Sequence, residues 1–378
     1  PYIIYNYIME DRKIRVAITH GDTNGIGYEL IFKTFAEPEM LELCTPIIYG
    51  SPKVAAYHRK ALDIQANFSI INSADEAKDG RVNLLACFDE EVKVELGTPT
   101  TESGTAALKA LDQAMTDYRS GLFDVLVTCP VCKDNMNGGG FQYKGLKEYI
   151  ETSIGEGARG IRILLNESLR IASVTDGLPL KNVAESIKEN TVTEAICKLN
   201  ESMKRDFRLT NPRIALLAIN PDANGNEEKE VLKPVVSKLS ESGTNIYGPY
   251  ATDSFFGKEM FDAFDCTLAM YDDQATIPFN TLMQEDGTVF IAGLPLVCTA
   301  PALTPCFEDA GKNICNENAL RHAIYYAIDV FRHREEYDEP LANPLQKLYH
   351  EKRDESEKVR FSIPKKRDNT ERNNQQNK

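Results

Sequence analysis

The chain has 378 residues, of which 42% are hydrophobic and 26% charged, and its formal net charge is −14. This length is too great for one small core and predicts two domains of an ordinary globular protein. This net negative charge argues against nucleic acid or an anionic membrane as the main partner. No apolar run reaches the roughly 18–20 residues that cross a bilayer.

Over the first third of the chain, short runs of β-branched residues alternate with stretches in which apolar residues recur at helical spacing. The predicted strands are Ile14–Thr19, Pro46–Tyr49, Val82–Ala86 and Asp124–Thr128. The predicted helices between them are Gly25–Ala36, Pro52–Leu62 and Thr105–Arg119. This alternation predicts an α/β fold with a mainly parallel sheet.

The middle of the chain begins with a predicted hairpin of Ile161–Leu165 and Leu169–Val174. Further predicted strands are Arg213–Ile219, Thr267–Met270 and Val289–Ala292. Further predicted helices are Thr191–Phe207, Glu227–Leu239 and Glu317–Arg332. From Pro340 onward the composition turns polar, which predicts a mobile tail.

The nine cysteines are an odd number and lack the spacing of a disulfide framework. This usage predicts a reduced, cytoplasmic chain. Cys129 and Cys132 have C-x-x-C spacing after a strand. Redox chemistry would need this motif at the N-terminus of a helix, which lowers the pKa of the thiol. Lys133 and the glycine-rich residues after it predict a loop instead, so two small residues that close a buried strand are the preferred interpretation.

The turn after the first strand is rich in glycine, at positions 21, 25 and 27. Such a turn lets a backbone approach a ligand closely, and the helix N-terminus after it favours an anion. The pattern is not G-x-G-x-x-G, so a standard dinucleotide fingerprint is not predicted. An ordinary strand-to-helix turn explains these residues equally well.

The chain has five histidines, and no two lie at H-x-H, H-x-x-H or H-E-x-x-H spacing. Imidazoles are common ligands of transition metals, and such spacings let one element supply two of them. The histidine pattern therefore does not predict a metal site. The five are His20, His58, His322, His333 and His350.

The glycine-rich turn, Thr19–Glu29, resembles the N-terminal signature of the 4-hydroxythreonine-4-phosphate dehydrogenase family, and further motifs match in order. They are Thr128-Cys129-Pro130 with Lys133, Gly145 with Glu148-Tyr149, Leu180-Lys181-Asn182-Val183, Asn220-Pro221, Gly248-Pro249 with Asp253 and Phe256, Met270-Tyr271 with Asp273-Gln274, and Gly293-Leu294-Pro295. The resemblance runs from about Ile14 to Asn343. It implies a two-domain fold like that of the isocitrate and isopropylmalate dehydrogenases, with a cleft between the domains.

The resemblance also implies a function and an assembly. Members of this family are homodimers that use NAD and a divalent metal to oxidise a phosphorylated hydroxy-amino acid on the way to pyridoxine phosphate. We predict a first α/β domain from residues 10–128 and 305–343, and a second, with the dimer interface, from residues 129–304. Residues 344–378 are the predicted polar tail.

The chain departs from the family pattern at the reacting residues. Leu146, Asp222 and Asp272 stand where the resemblance implies three metal-binding histidines, and Gly177 replaces a fourth. An aliphatic side chain has no lone pair for a metal, so a zinc-type site is predicted to be lost. The phosphate-binding arginine is replaced by Cys298, and a lysine and an asparagine of the same pocket by Asn280 and Val289.

By resemblance, Lys133, Asp253 and Thr299 are the substrate-binding candidates that remain. Lys133 and Asp253 could equally serve as structural ion-pair partners. No residue is assigned a catalytic role.

Three functions follow as hypotheses. The leading one is a catalytically degenerate, dimeric family member that binds a small molecule or a partner. The second is an active NAD-dependent dehydrogenase of another hydroxy acid, in which Asp222 and Asp272, with Asp273 or Asp176 nearby, hold Mg²⁺ or Mn²⁺ through hard oxygen ligands. The third is a regulatory subunit that pairs with an intact family enzyme through the shared dimer surface.

Overall fold

The structure is a computed structural model that describes residues 12–88, 91–155, 157–283 and 285–342. Its contacts group the chain into two units, Pro1–Asp338 and Glu339–Lys378. The first unit carries the sheet and the candidate site. The predicted tail, 344–378, lies outside the described residues, and the predicted domain bounds within the first unit stay a prediction.

Twelve strands in the described part of the chain form one sheet. They are β1 (Arg15–Thr19), β2 (Thr45–Gly50), β3 (Ser69–Ile71), β4 (Asn83–Ala86), β5 (Val125–Thr128), β6 (Ile161–Leu165), β7 (Arg170–Thr175), β8 (Ile214–Leu217), β9 (Ile246–Tyr250), β10 (Cys266–Tyr271), β11 (Thr288–Ala292) and β12 (Val297–Pro301). Their order is β3-β4-β2-β1-β5-β12-β11-β6-β7-β10-β8-β9. The antiparallel pairings are β12–β11, β11–β6 and β6–β7, and the others are parallel, so the predicted α/β class with a mainly parallel sheet is confirmed.

Helices connect most of the parallel strands. They are Gly27–Thr34, Glu39–Leu43, Pro52–Ala61, Thr101–Arg119, Lys133–Gly138, Leu146–Ile154, Leu180–Ser186, Glu189–Arg205, Lys233–Glu241, Thr252–Gly257, Asp272–Leu282 and Asn318–Ala342. Shorter turns are the 3₁₀ segments Ala74–Glu76, Pro221–Ala223 and Met260–Ala263 and the π-helical Glu228–Leu232. Among the described residues, no helix combines the length and the apolar character that crossing a membrane requires.

Local sequence explains where the regular elements begin. All four residues of β5 are buried, as expected for a central parallel strand covered on both faces. The helix Thr101–Arg119 starts where the hydroxyl of Thr100 accepts a hydrogen bond from the Ser103 amide at 3.1 Å. This cap satisfies one of the amides that a helix N-terminus leaves without a partner.

The predicted hairpin is confirmed, because β6 and β7 pair antiparallel with Leu165 opposite Arg170. The side chain of Asn166 makes the turn by accepting hydrogen bonds from the amides of Ser168, at 3.0 Å, and Leu169, at 2.9 Å. Such local bonds from asparagine favour a turn over a continued strand.

The predicted loop after Cys132 is wrong, since Lys133–Gly138 is a short helix. Tertiary contacts outweigh its glycine-rich end: Met136 is buried, and Asn135 is held by a side-chain hydrogen bond. Cys129 is fully buried, and this burial raises the pKa of its thiol. A redox cysteine needs the opposite shift, which argues against redox chemistry at Cys129. Cys132 is only partly buried, so the interpretation of two small residues that close a buried strand stays a prediction.

Candidate functional site

The glycine-rich turn after β1 is braced from within. Asp22 is buried, and its Oδ1 accepts a hydrogen bond from the Asn24 amide at 3.0 Å. Its Oδ2 accepts one from the side chain of Asn135 at 2.8 Å. Gly21 has a φ of +77°, and a Cβ there would collide with the carbonyl oxygen of Pro130. These polar groups therefore hold the loop together, and only glycine fits its tightest point.

Two imidazoles lie beneath this turn in a buried aromatic cluster. The ring of His20 stacks on Tyr28 with centroids 5.3 Å apart, and Nε2 of His58 lies 2.7 Å from the carbonyl oxygen of Thr23. Burial lowers the pKa of each histidine to about 4, because the apolar surroundings disfavour the charged ring. Both rings are therefore neutral at neutral pH.

A second group of polar residues gathers where β7 and β10 end. These neighbouring parallel strands pair Thr175 with Tyr271, so the next residues, Asp176 and Asp272, come side by side. β6 runs antiparallel to β7, which brings Arg162, near the start of β6, to the same edge. The carboxyl ends of parallel strands are the usual place for a ligand site in an open α/β sheet.

Arg162 contacts both carboxylates. Its Nε donates a hydrogen bond to Oδ1 of Asp176 at 3.0 Å, and its Nη2 forms a short ion pair with Oδ1 of Asp272. The hydroxyl of Thr276 approaches the same Asp272 oxygen at 3.4 Å. The three charged side chains are 24%, 24% and 38% exposed for Arg162, Asp176 and Asp272. Both acidic groups are thus already engaged by a cation of the chain itself.

This cluster borders a cavity of about 500 Å³. The helix Leu146–Ile154 forms one wall, on which Lys147 and Glu151 pair at 3.3 Å. The lining residues are Thr128, Lys144, Gly145, Leu146, Lys147, Glu148, Ile150, Glu151, Arg162, Asp176, Gly177, Asp272, Val289, Ile291, Cys298, Thr299 and Ala300. The cavity therefore combines an apolar surface with charged groups that are largely paired with one another.

Five positions at which the chain departs from the family pattern line this one cavity. They are Leu146, Gly177, Asp272, Val289 and Cys298. Two others are placed elsewhere among the described residues. Asp222 is exposed in the turn Pro221–Ala223, and Asn280 is exposed on the helix Asp272–Leu282. Asp272 and Asp176 thus meet at one cavity, and Asp222 is not among the residues that line it.

The residues present do not fit a divalent metal. Leu146 offers no donor atom, and the carboxylates of Asp176 and Asp272 are occupied by a guanidinium. Across the described residues, no group of three or more histidine, cysteine, aspartate or glutamate side chains is arranged to hold an ion. A phosphate would also lack its charge partner at Cys298, because this residue is buried, which raises the pKa of its thiol to about 12.

The three predicted substrate-binding residues lie apart. Thr299 lines the cavity, but its hydroxyl donates to the carbonyl oxygen of Ala323 at 2.7 Å. Lys133 is exposed at the start of its short helix. Asp253 is also exposed, and its carboxylate accepts a hydrogen bond from the Ser254 amide at 2.6 Å. Their roles toward a substrate stay predictions.

Arg162 is the site residue that the sequence interpretation missed. A signal for it exists, because Arg162 is the one charged residue of the sequence Ile-Arg-Ile-Leu-Leu, the first strand of the predicted hairpin. Alternation of side chains along β6 places Arg162 on the opposite face from the buried Ile161 and Ile163. Its partners come from other strands, so only the pairing register identifies them.

Three comparisons place the chain among known proteins. A family model described as pyridoxal phosphate biosynthetic protein PdxA matches residues 42–327. A 4-hydroxythreonine-4-phosphate dehydrogenase of Bacteroides thetaiotaomicron is 48% identical over 358 residues, covering 93% of this chain and 98% of the relative. One of the same name from Aquifex aeolicus is 31% identical over 316 residues, covering 82% and 96%. The crystal structure of a 4-hydroxythreonine-4-phosphate dehydrogenase from Burkholderia phymatum is 25% identical with a TM-score of 0.68, covering 85% of this chain and 99% of that one.

Proposed function

This chain belongs to the family of pyridoxal phosphate biosynthetic protein PdxA, and we propose that it is a catalytically degenerate member, which keeps a small-molecule cavity without oxidising a substrate. One observation carries the proposal. Arg162 pairs with Asp176 and Asp272 at the cavity where Leu146 and Cys298 replace a metal ligand and a phosphate ligand. The two aspartates beside the strand ends are thus already neutralised by a cation of the chain.

The energetic consequence of losing the metal is large. A catalytic divalent ion lowers the pKa of a bound oxygen by about nine units, which is worth roughly 12 kcal/mol toward an alkoxide. A neutral thiol in place of a guanidinium removes a further charge-assisted contact to phosphate, worth about 2–5 kcal/mol in binding. Arg162, Asp176 and Asp272 are paired with one another, so none of these three charges is available to replace these contributions. We expect binding without turnover.

An active NAD-dependent dehydrogenase is the second candidate. The observation that favours it is the 48% identity to a relative that bears the dehydrogenase name. It would require a metal at Asp272, and therefore displacement of Arg162 from that carboxylate.

The test is NADH formation by purified protein with 4-hydroxythreonine-4-phosphate and NAD, in the presence of Mg²⁺, Mn²⁺ or Zn²⁺ in turn. A family enzyme that has all three metal-binding histidines serves as the positive control under identical conditions. We expect no NADH above the rate of the no-protein blank. Chelator-sensitive NADH formation by this chain would refute degeneracy. Calorimetry with NAD alone, on the same sample, tests whether the cofactor still binds.

We also infer a homodimer in a reducing, cytoplasmic setting. The dimer is proposed from the family resemblance, and Ile277 and Leu282, 62% and 45% exposed on the helix Asp272–Leu282, are apolar side chains available to a partner chain. All nine cysteines are unpaired, which suits a reducing compartment. Light scattering of the purified protein tests the dimer, and co-purification with an intact family enzyme tests the regulatory-subunit hypothesis.

A further inference from the structure

We propose that Arg162 is the resident cation of the cavity and that its guanidinium excludes a divalent metal from Asp176 and Asp272. The proposal rests on the proposed function and deepens it, because it names the group that keeps the site free of metal. It goes beyond the loss of histidines, since carboxylates alone can bind Mg²⁺ or Mn²⁺. The chain still has two such carboxylates, and both form ion pairs with Arg162.

The guanidinium is held by regular structure rather than by a mobile loop. β6 lies between β11 and β7, and Arg162 stands directly opposite Ile291 of β11. Its two acidic partners follow β7 and β10, whose register is fixed by four pairs of residues. A planar guanidinium can donate to two carboxylates at once, whereas an ammonium group offers only a point charge.

Two other cations near the cavity have acidic partners of their own, and a third, Lys144, lines the cavity with an exposed side chain. Lys147 pairs with Glu151 at 3.3 Å, and Lys198 pairs with Glu194 at 2.7 Å. Among the described residues, Arg162 is therefore the cation that contacts both Asp176 and Asp272. Removing its charge would leave two carboxylates that had converged on one group, partly shielded from water. Such a pair, with water completing the shell, is a site for a hard divalent ion.

The experiment measures Mn²⁺ binding by the electron paramagnetic resonance signal of the free ion. Wild type and Arg162→Lys, which keeps the positive charge, are expected to bind Mn²⁺ only weakly and without defined stoichiometry. Arg162→Gln is expected to bind one Mn²⁺ per chain, about tenfold or more tighter than wild type, in competition with Mg²⁺. Adding Asp272→Asn to that variant should abolish the gain.

Arg213→Gln is the matched control. It also removes an arginine that pairs with an aspartate, but it frees only Asp265. A single half-buried carboxylate should not create a site, so this variant should bind Mn²⁺ as wild type does. Thermal unfolding of each variant shows whether it is folded.

Two results would overturn the proposal. One is stoichiometric Mn²⁺ binding by wild type that Asp272→Asn abolishes; the other is a folded Arg162→Gln variant that binds no more Mn²⁺ than wild type. If Arg162→Gln does not fold, the variant with both Asp176→Asn and Asp272→Asn tests the same pairing from the other side. Its freed guanidinium should bind sulfate more tightly than wild type, and unchanged sulfate binding would count against the proposal. NADH formation by wild type would instead refute the proposed function, whatever the variants bind.

Discussion

Acidification should destabilise this protein through its two buried imidazoles. Burial lowers the pKa of both His20 and His58 from 6.5 to about 4, and their rings are 0% and 1% exposed. Between these pKa values the unfolded chain binds more protons than the folded chain, so the free energy of unfolding decreases as the pH falls. The stability that comes from neutral rings is fully present above pH 6.5 and is lost progressively toward pH 4.

The size of the effect follows from these pKa values. A difference of about 2.5 units, at about 1.4 kcal/mol per unit, gives about 3 kcal/mol for each ring once both states are protonated. At about pH 5 the same linkage gives about 2 kcal/mol per ring, or about 4 kcal/mol for the pair. This is a large share of the roughly 5–15 kcal/mol by which a domain is stable.

Urea unfolding of wild type at about pH 8 and about pH 5 measures this loss of stability. The measured difference also includes the contribution of carboxylates, which titrate at lower pH. His20→Leu removes one titrating ring at similar volume and should reduce the loss by about 2 kcal/mol. Tyr28→Phe is the matched control, because it removes the hydrogen bond from the Ser51 amide to the phenol at 3.0 Å without removing an imidazole. It should lower stability at both pH values equally. An unchanged pH dependence in His20→Leu would refute the reasoning.

Two further predictions concern the scaffold. Gly21→Ala should cost more than about 2 kcal/mol in urea unfolding, because the new Cβ meets a neighbouring carbonyl oxygen at a positive φ. Gly80→Ala has a similar φ of +69° with no atom within 4 Å, so it should cost only about 1 kcal/mol, and equal losses would contradict the steric explanation. Asp206→Asn should cost about 3–5 kcal/mol, because it leaves the buried Arg334 guanidinium, 2.6 Å from that carboxylate, without its charge partner. The same change at the more exposed Asp265 should cost under about 1 kcal/mol, and similar melting temperatures for the two variants would contradict this difference.

The alternation of strands and helices could be predicted from the sequence because apolar runs and turn residues mark it locally. β1 and β5 begin within one residue of their predicted starts, and both are buried strands without internal polar side chains. β12 was missed, since its sequence Val-Cys-Thr-Ala-Pro is strand-like only between β5 and β11. The helix Asp272–Leu282 was missed as well, because it contains Pro278, which ordinarily breaks a helix.

The candidate site was predictable in part. The resemblance to the family identified Leu146, Asp272 and Cys298, and all three line one cavity. It also suggested that Asp222 joins Asp272; Asp222 lies in an exposed turn and does not line this cavity, and its grouping with Asp272 stays a prediction. Arg162 could not be assigned its partners, because they depend on the register between strands far apart in sequence.

Two family motifs of this chain have roles in folding that do not depend on any reaction. Oε1 of Gln274 accepts a hydrogen bond from the Met270 amide at 2.7 Å, and its Nε2 donates to the carbonyl oxygen of Ala218 at 2.6 Å, so it ties the helix after β10 to β8. Asp22 braces the turn after β1 in the same way. Losing either partner would leave buried polar groups unsatisfied, at about 1–3 kcal/mol each, whether or not the protein is an enzyme. A match to these motifs therefore reports the scaffold, and the reaction has to be inferred from the side chains that face the cavity.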